Sequence, residues 1–192
     1  MTKEKMFEDE SFAQRFGKEL YLEEIFLEYD GIPLLSACID ENGNRYFCHC
    51  AEMRDFETWV IYPVTIGQLL QMTNNGKSPQ EVLGVQGQKV WIYRIYWDGR
   101  ESSMEATLAE RLLECDALPK GAPLCLYPEQ VAAYAKELQN FAEKSFFEKI
   151  VASFREAYHI DIVGYVSSQV EYPRKSICEI TVSYTHLTLP TN

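Results

Sequence analysis

The sequence predicts an α+β fold in which an antiparallel meander sheet, from about residue 19 to residue 97, packs against helices. Three observations favour this class. Short runs rich in β-branched and aromatic residues recur in the first half of the chain, separated by Asp-Gly and Asn-Gly turn signals. The longest helical pattern, residues 129–158, comes only after these runs. Hydrophobic residues make up 46% of the 192 residues, enough for a folded core.

The sheet begins after a charged lead-in, residues 1–14, which is expected to be frayed or to form a short helix. Residues 19–29 alternate loosely and predict the first strand. Its inward side chains are expected to be Leu20, Leu22, Ile25 and Leu27. The turn signal Asp30-Gly31 ends this strand.

Residues 32–39 and 45–53 form the clearest hairpin of the chain. Its Asn-Gly dipeptide favours a two-residue loop, which would place Cys38 opposite Phe47. Because side chains alternate between the faces of a sheet, His49 is then expected on the face of Cys38. Cys48 and Cys50 are expected on the other face.

The next segments combine strand and capping signals. Residues 58–64 predict an apolar strand, and Thr65 can cap a short helix over residues 66–72. Ser78, followed by Pro79 and Glu81, is typical of a capping box that starts a second short helix. Residues 89–97 (KVWIYRIYW) predict an aromatic strand.

The second half of the chain is predicted to be largely helical. Leu108, Leu112 and Cys115 have helical spacing, which predicts a helix over residues 104–115. The long helical stretch 129–158 changes phase near Ser145, which leaves open one helix with a wide apolar face or two helices. Residues 160–166 and 176–180 predict two C-terminal strands, the second incomplete.

These elements suggest a β-rich domain over residues 1–100 and a helical region with a strand pair over residues 101–180, which could belong to the same domain. Residues 181–192 contain no Asp, Glu, Lys or Arg and, when back-translated, match a reading frame of a transposon adapter used in sequencing libraries. We therefore expect this tail to be non-native and the natural C-terminus to be truncated, and we exclude His186 from the site analysis.

The charge balance excludes several function classes. Lys and Arg number 18 and Asp and Glu number 29, so the formal net charge is −11, and no basic cluster suits a phosphate backbone. We therefore expect no nucleic-acid partner. No apolar run reaches the length of a membrane span, and the charged start lacks a secretory signal. The sequence thus predicts a cytoplasmic protein without membrane contact.

Motif searches assign no catalytic, cofactor-binding or metal-ligating residue, because phosphate-binding, dinucleotide-binding, zinc-protease and serine-hydrolase patterns are missing from the sequence. Cys48-His49-Cys50, with Cys38 nearby, could suggest a zinc site, but alternation prevents three ligands from meeting on one face. A nucleophile pair between Cys48 or Cys50 and His159 is formally open.

The aromatic strand is the main candidate for recognition. Trp91, Tyr93 and Trp97 share one face and form a candidate interaction surface. The competing interpretation is that this face belongs to the core. If two aromatics are exposed together, a protein-binding patch is favoured, because Trp, Tyr and Arg are frequent interface hot spots.

Part of the chain resembles a known family. The residues that carry the resemblance are Tyr29, Asp30, Gly31, Pro33, Cys38, Gly43 and Tyr46. They resemble the pattern of a bacterial domain-of-unknown-function family of small β-rich domains, over roughly the first third to half of the chain. The resemblance implies a β-rich fold and a bacterial or phage cytoplasmic setting, and it implies no catalytic residues.

The sequence thus favours a non-enzymatic protein-binding or regulatory module with a protein partner. The alternative is a Cys/His-dependent hydrolase or transferase, or a fragment whose catalytic part is missing. Truncation could leave the apolar residues Phe147, Val151 and Phe154 exposed, which predicts aggregation or a homodimer. The sequence leaves open whether missing residues or a second copy cover this helical stretch.

Overall fold

Six strands form one antiparallel sheet in which neighbours in space are also neighbours in the chain. The structure is a computed structural model that describes residues 4–74, 77–118 and 128–158, without the side chains of residues 128, 130 and 154–158. The strands are β1 (Tyr21–Tyr29), β2 (Ile32–Ile39), β3 (Arg45–Met53), β4 (Phe56–Val64), β5 (Lys89–Tyr96) and β6 (Ser103–Leu108). The α-helices are α1 (Glu10–Phe16), α2 (Ile66–Asn74), α3 (Pro79–Leu83) and α4 (Pro128–Tyr158).

This architecture confirms the predicted α+β class and the antiparallel meander packed against helices. It also confirms the long helix, which runs without interruption from Pro128 to Tyr158. The chain divides into two units, Met1–Ala142 and Glu143–Asn192, and α4 contributes residues to both. The two predicted C-terminal strands, His159 and the tail lie outside the described residues.

One face of the sheet is covered by the N-terminal segment and α1. Phe12, which is completely buried, stacks among Phe7, Phe16 and Tyr93 with ring centroids 4.3–5.2 Å apart. The buried residues of this cluster are Met6, Phe7, Phe12, Leu20, Cys38, Tyr46, Cys48, Trp59, Ile61 and Tyr93. The charged lead-in is therefore a folded lid on the core, held by its few apolar side chains.

The opposite face carries the larger core, under α2, α3 and the start of α4. Leu69 of α2, Leu83 of α3 and Leu138 of α4 are all nearly inaccessible to solvent. Phe26, Phe47 and Tyr62 supply its central aromatic rings from β1, β3 and β4. Both faces of the sheet are covered. Strand β4 therefore has apolar side chains on both faces, and apolar and polar residues do not alternate along it.

The register of the β2–β3 hairpin differs from the prediction by one residue. Cys38 lies opposite Tyr46, and Ala37 lies opposite Phe47. The reason is a longer turn: Asp40 accepts hydrogen bonds from the backbone N–H groups of Asn42 and Asn44, 2.9 and 2.8 Å away. A one-residue shift changes which side chains share a face. Cys38 therefore lies on the face of Cys48, and His49 lies on the other face.

The predicted helix over residues 104–115 is wrong. Ser103–Leu108 is strand β6, which pairs with β5 and adds a sixth strand, and only Ala109–Arg111 forms a short 3₁₀ helix. The apolar residues Leu108 and Leu112 happen to have helical spacing. The backbone of β5 instead supplies hydrogen-bond partners for an extended segment, and this tertiary pairing overrides the local pattern.

The inward side chains of β1 also differ from the prediction. Phe26 is the completely buried residue of this strand, whereas Ile25 and Leu27 are only partly buried. Three register irregularities interrupt the pairing of β1 with β2 and shift the alternation along the strand. Leu20, just before the strand, is buried as predicted.

The predicted helix starts are confirmed in atomic detail. The Thr65 hydroxyl accepts from the Gln68 N–H at 3.2 Å, and the Gln68 side chain accepts from the Thr65 N–H at 2.9 Å. Ser78 and Glu81 form the same reciprocal arrangement at the start of α3. Within the described residues, no helix is long and apolar enough to cross a membrane.

Candidate functional site

Three aromatic residues and one arginine lie at the end of the sheet where β4 begins and β5 ends, with Trp97 and Arg100 exposed and Phe56 and Tyr96 partly buried. Phe56 and Tyr96 are directly opposite each other on these strands, with ring centroids 5.8 Å apart. The Arg100 guanidinium lies over the Tyr96 ring at 4.2 Å. Trp97 follows Tyr96, is 55% exposed, and lies on the other face of the sheet, where its indole N–H bonds Glu57. We call these four residues, Phe56, Tyr96, Trp97 and Arg100, the aromatic tip.

The turn after β5 holds the aromatic tip in place. Gly99 adopts a positive φ of 81°, which a glycine tolerates without strain. The Asp98 carboxylate accepts from the Arg100 N–H at 3.1 Å and from its Nε at 2.8 Å. This local ion pair is exposed and contributes little stability, but it directs the guanidinium toward the Tyr96 ring.

A carboxylate organises the two tryptophans near the tip. Glu57 accepts from the indole N–H of Trp59 at 2.8 Å and from that of Trp97 at 3.2 Å. Trp59 is buried and packs against Phe7 of the N-terminal segment, so Glu57 links the exposed Trp97 to a buried side chain. The polar end of the Trp97 ring is thereby bonded, and its apolar surface remains in contact with solvent.

The three residues of the predicted interaction surface do not lie together in solvent. Tyr93 is completely buried beneath α1, and its hydroxyl donates to Asp9 at 2.5 Å. Trp91 is partly buried and packs edge-on against Phe16 at 5.1 Å. Only Trp97 is exposed. Of the predicted interaction surface, only Trp97 is available to a partner. The other residues of the aromatic tip were not part of that prediction.

Asp9, which accepts from Tyr93, is part of a polar cluster that fixes α1. It caps the helix by accepting from the Ser11 N–H at 2.9 Å, and Ser11 in turn lies 2.5 Å from the hydroxyl of Ser102. Burial would raise the pKa of Asp9, but the hydrogen bonds from Tyr93 and Ser11 outweigh it and lower the pKa to about 2. This arrangement satisfies buried polar groups and joins α1 to the start of β6.

Cys48 and Cys50 lie on one face of β3 and His49 lies on the other, and burial shifts the pKa values of all three away from neutral pH. Burial, together with a hydrogen bond to Cys38, raises the pKa of the Cys48 thiol well above its usual range. Burial and the charge of Glu57 raise the pKa of Cys50 to about 12. Burial lowers the pKa of His49 to about 4. His49 and Cys48 point to opposite faces, so they do not form a nucleophile–base pair.

Metal binding also lacks a structural basis in the described part of the chain. Within residues 4–74, 77–118 and 128–158, no three His, Cys, Asp or Glu side chains converge as a cation would require. The Nδ1 atom of His49 is buried and has no hydrogen-bond partner among these residues. Its neighbours across the strands are Leu35 and Val60, which supply no further ligand.

At the other end of the sheet, a groove of about 620 Å³ opens beside the β2–β3 turn. Its lining residues are Lys18, Gly43, Asn44, Arg45, Tyr46, Pro63, Val64, Thr65, Ile66 and Phe141. The groove contains two cations, Lys18 and Arg45, which is the pattern of an anion site. Both, however, already have carboxylate partners: Lys18 Nζ lies 2.8 Å from Asp40, and the Arg45 guanidinium bonds Glu23 at 2.8 Å.

The groove cations instead hold the fold together. Arg45 donates through two nitrogens to Glu23, which also accepts from the Tyr134 hydroxyl at 2.8 Å. Phe141 of α4 lies 4.8 Å from the Arg45 guanidinium. These contacts join β1, β3 and α4, so we assign the groove a structural role.

Phe56, Tyr96 and Arg100 were not among the candidate residues predicted from the sequence. The signal for them was the turn Trp97-Asp98-Gly99-Arg100, which brings an arginine back toward the end of an aromatic strand. The pairing of Phe56 with Tyr96 depends on the β4–β5 register. Two helices separate these strands in the chain, so no local pattern determines that register.

No protein-family model, curated protein or solved structure matches this chain. The fold and the site geometry therefore define it only as an α+β protein with a six-stranded antiparallel meander and an exposed aromatic tip. The resemblance of the N-terminal half to a domain-of-unknown-function family stays a prediction, as does the adapter origin of residues 181–192.

Proposed function

We propose that this chain is a non-enzymatic protein-binding or regulatory module that contacts a protein partner through the aromatic tip. The observation that carries the proposal is the exposure of both Trp97 and Arg100 at the end of β5, one on each face of the sheet, with Arg100 over the Tyr96 ring that packs against Phe56. Trp, Tyr and Arg are the residue types that contribute most to protein interfaces. A cytoplasmic, bacterial or phage setting belongs to the same proposal.

The tip is suited to protein recognition because it is already ordered. Trp97 is oriented by Glu57, and Arg100 is oriented by Asp98 and Tyr96. Ordering these side chains therefore costs little when a partner binds. The Arg100 guanidinium keeps free N–H donors while its face covers an aromatic ring, so it can also bond a carboxylate or carbonyl of the partner. The net charge of −11 argues against nucleic acid as that partner.

An affinity capture from an extract of the source cells tests the proposal. The tagged full chain is compared with Trp97→Ala and with Tyr29→Ala as a matched control. Tyr29 is 69% exposed and is the last residue of β1, an edge strand that β2 and β3 separate from β4. We expect a protein that is retained by the wild type and by Tyr29→Ala and is lost from Trp97→Ala. Equal retention by both variants, or no specific protein at all, would contradict the proposal.

The alternative is an enzyme that uses Cys48, His49 or Cys50, or a fragment whose catalytic part is missing. Two observations argue against an enzyme that uses these residues. The pKa values of both thiols are raised, and His49 and Cys48 lie on opposite faces of the sheet. Any hydrolase or transferase activity found for the chain would be tested with Cys48→Ser and Cys50→Ser. Loss of that activity in either variant would favour the enzyme.

A further inference from the structure

The two edges of the sheet differ in how they are protected. Residues 4–6 lie along the start of β1, where the Met6 N–H bonds the Leu20 carbonyl at 2.8 Å and the Leu22 N–H bonds the Glu4 carbonyl at 2.9 Å. Three register irregularities also interrupt β1. Such coverings and bulges are the usual means of preventing edge pairing. At the opposite edge, β6, the described residues provide neither.

Strand β6 pairs with β5 in an unbroken register from Ser103 to Leu108 and contains no proline or lysine. The Ala109 N–H bonds the Gln88 carbonyl at 2.8 Å. In an antiparallel strand, alternate residues direct their N–H and C=O groups toward the same neighbouring strand. The N–H and C=O groups of Thr107, Glu105 and Ser103 therefore face β5, as the Ala109 N–H does. Those of Met104, Ala106 and Leu108 face outward and have no partner among the described residues.

We propose that β6 pairs antiparallel with β6 of a second copy of this chain, with the two-fold axis at Ala106. This register places Ala106 opposite Ala106 and Met104 opposite Leu108 of the second copy. The outward-facing residues then bond only to one another, which antiparallel pairing requires. The proposal goes beyond the proposed function, because it concerns another surface and another partner.

The residues on β6 favour a second copy as the occupant. Met104 and Leu108 are both partly buried and lie on the α1 side of the sheet, so each would complete an apolar pair across the axis. Glu105 would face Thr107, and no like charges would be opposed. Beyond the strand ends, Glu101 would approach the end that carries Arg111. A register centred on Glu105 would instead oppose two carboxylates.

Sedimentation of the full chain with two variants at the axis tests the proposal. Ala106→Pro removes the outward N–H of residue 106 and no hydrogen bond to β5, whereas Ala106→Val keeps that N–H. We expect a mass approaching twice the 22.2 kDa of one chain for the wild type and for Ala106→Val. For Ala106→Pro, we expect the self-association Kd to rise at least about tenfold, because two hydrogen bonds of each dimer are lost. A monomeric wild type, or a dimer that persists in Ala106→Pro, would overturn the proposal.

Disulfide trapping tests the register without depending on the proline variant. Cys115, Cys125 and Cys178 are first replaced by serine, and the chain is oxidised with glutathione disulfide. Ala106→Cys should form a covalent dimer, because hydrogen-bonded antiparallel partners have Cα atoms about 5.5 Å apart, within disulfide range. Glu105→Cys should not, because its two copies would be about 8 Å apart. The reverse pattern, or no trapping at Ala106→Cys, would overturn the proposal.

Discussion

Asp40 should make the stability of this protein depend on pH in acid solution. Its side chain is buried in the β2–β3 turn and accepts from Lys18 Nζ at 2.8 Å, from the Tyr46 hydroxyl at 3.3 Å and from Asn42 and Asn44. Burial would raise the pKa of Asp40, but the hydrogen bonds from Lys18 and Asn44, together with the charge of Lys18, lower it from its ordinary value of 3.8 to about 2.

The size of the effect follows from linkage. A pKa lower in the folded protein than in the unfolded chain means that the ionised carboxylate favours folding. The difference between 3.8 and about 2 corresponds to about 2.5 kcal/mol of unfolding free energy. This contribution is complete above about pH 5 and is lost as the pH falls through 3.8 toward 2, with about half remaining near pH 3.

Urea unfolding of Asp40→Asn at about pH 7 and about pH 3 measures this contribution. At the higher pH we expect a loss of about 2–4 kcal/mol, because the amide of asparagine would turn donors toward Lys18 and Tyr46. At the lower pH the loss should be about 1 kcal/mol smaller, because the wild type has itself lost stability. Asp9 titrates in the same range in both proteins, so its contribution cancels.

The control is Asp55→Asn, in the exposed β3–β4 turn, which should cost less than about 0.5 kcal/mol at either pH. The reasoning would be refuted if Asp40→Asn cost the same at both pH values. It would also be refuted if the variant at pH 7 were as stable as Asp55→Asn, since the buried carboxylate would then contribute nothing.

Three further predictions concern the core, a hydrogen bond and the thiols. Phe12→Ala should lower the unfolding free energy by about 3–5 kcal/mol in urea, because Phe12 is completely buried among aromatic rings; a loss under about 1 kcal/mol would mean that α1 does not cover the sheet. Tyr134→Phe should cost about 1 kcal/mol in the same assay by removing the hydrogen bond to Glu23, and no cost would show that this bond is not formed. In alkylation followed by peptide mass spectrometry, exposed Cys115 should react in the folded protein and Cys48 only after unfolding; equal labelling rates would contradict the burial of Cys48.

Much of the fold follows from local sequence patterns. The strands of the meander are rich in β-branched and aromatic residues, and Thr65 and Ser78 start helices for the reason predicted, a side chain that satisfies a free N–H group. The long helix also follows from its apolar spacing. In each case the deciding interaction lies within a few residues of the chain.

The errors have non-local causes. The Asn-Gly dipeptide indicated a two-residue loop, but the Asp40 side chain bonds two backbone groups and, from outside the hairpin, Lys18, which stabilises a longer turn. Residues 103–108 form a strand because β5 has an edge to pair with. These outcomes depend on partners distant in the chain, which a pattern of neighbouring residues does not contain.

The candidate site likewise combines a residue that a local sequence pattern predicts with residues that only tertiary pairing brings together. Trp97 could be named from the sequence because it ends an aromatic strand before an Asp-Gly turn. Tyr93 belongs to the same face but is buried, because α1 returns over that face and places Phe12 against its ring. Phe56 joins the tip only through the pairing of β4 with β5.

The affinity of a captured partner for the Trp97→Ala variant tests the central claim most directly. In calorimetric titration with the purified partner, the account predicts that Trp97→Ala weakens binding by at least about tenfold, as expected for an interface hot spot. Tyr29→Ala should bind as the wild type does. Equal Kd values for wild type and Trp97→Ala would contradict the claim that the aromatic tip is the surface that binds the partner.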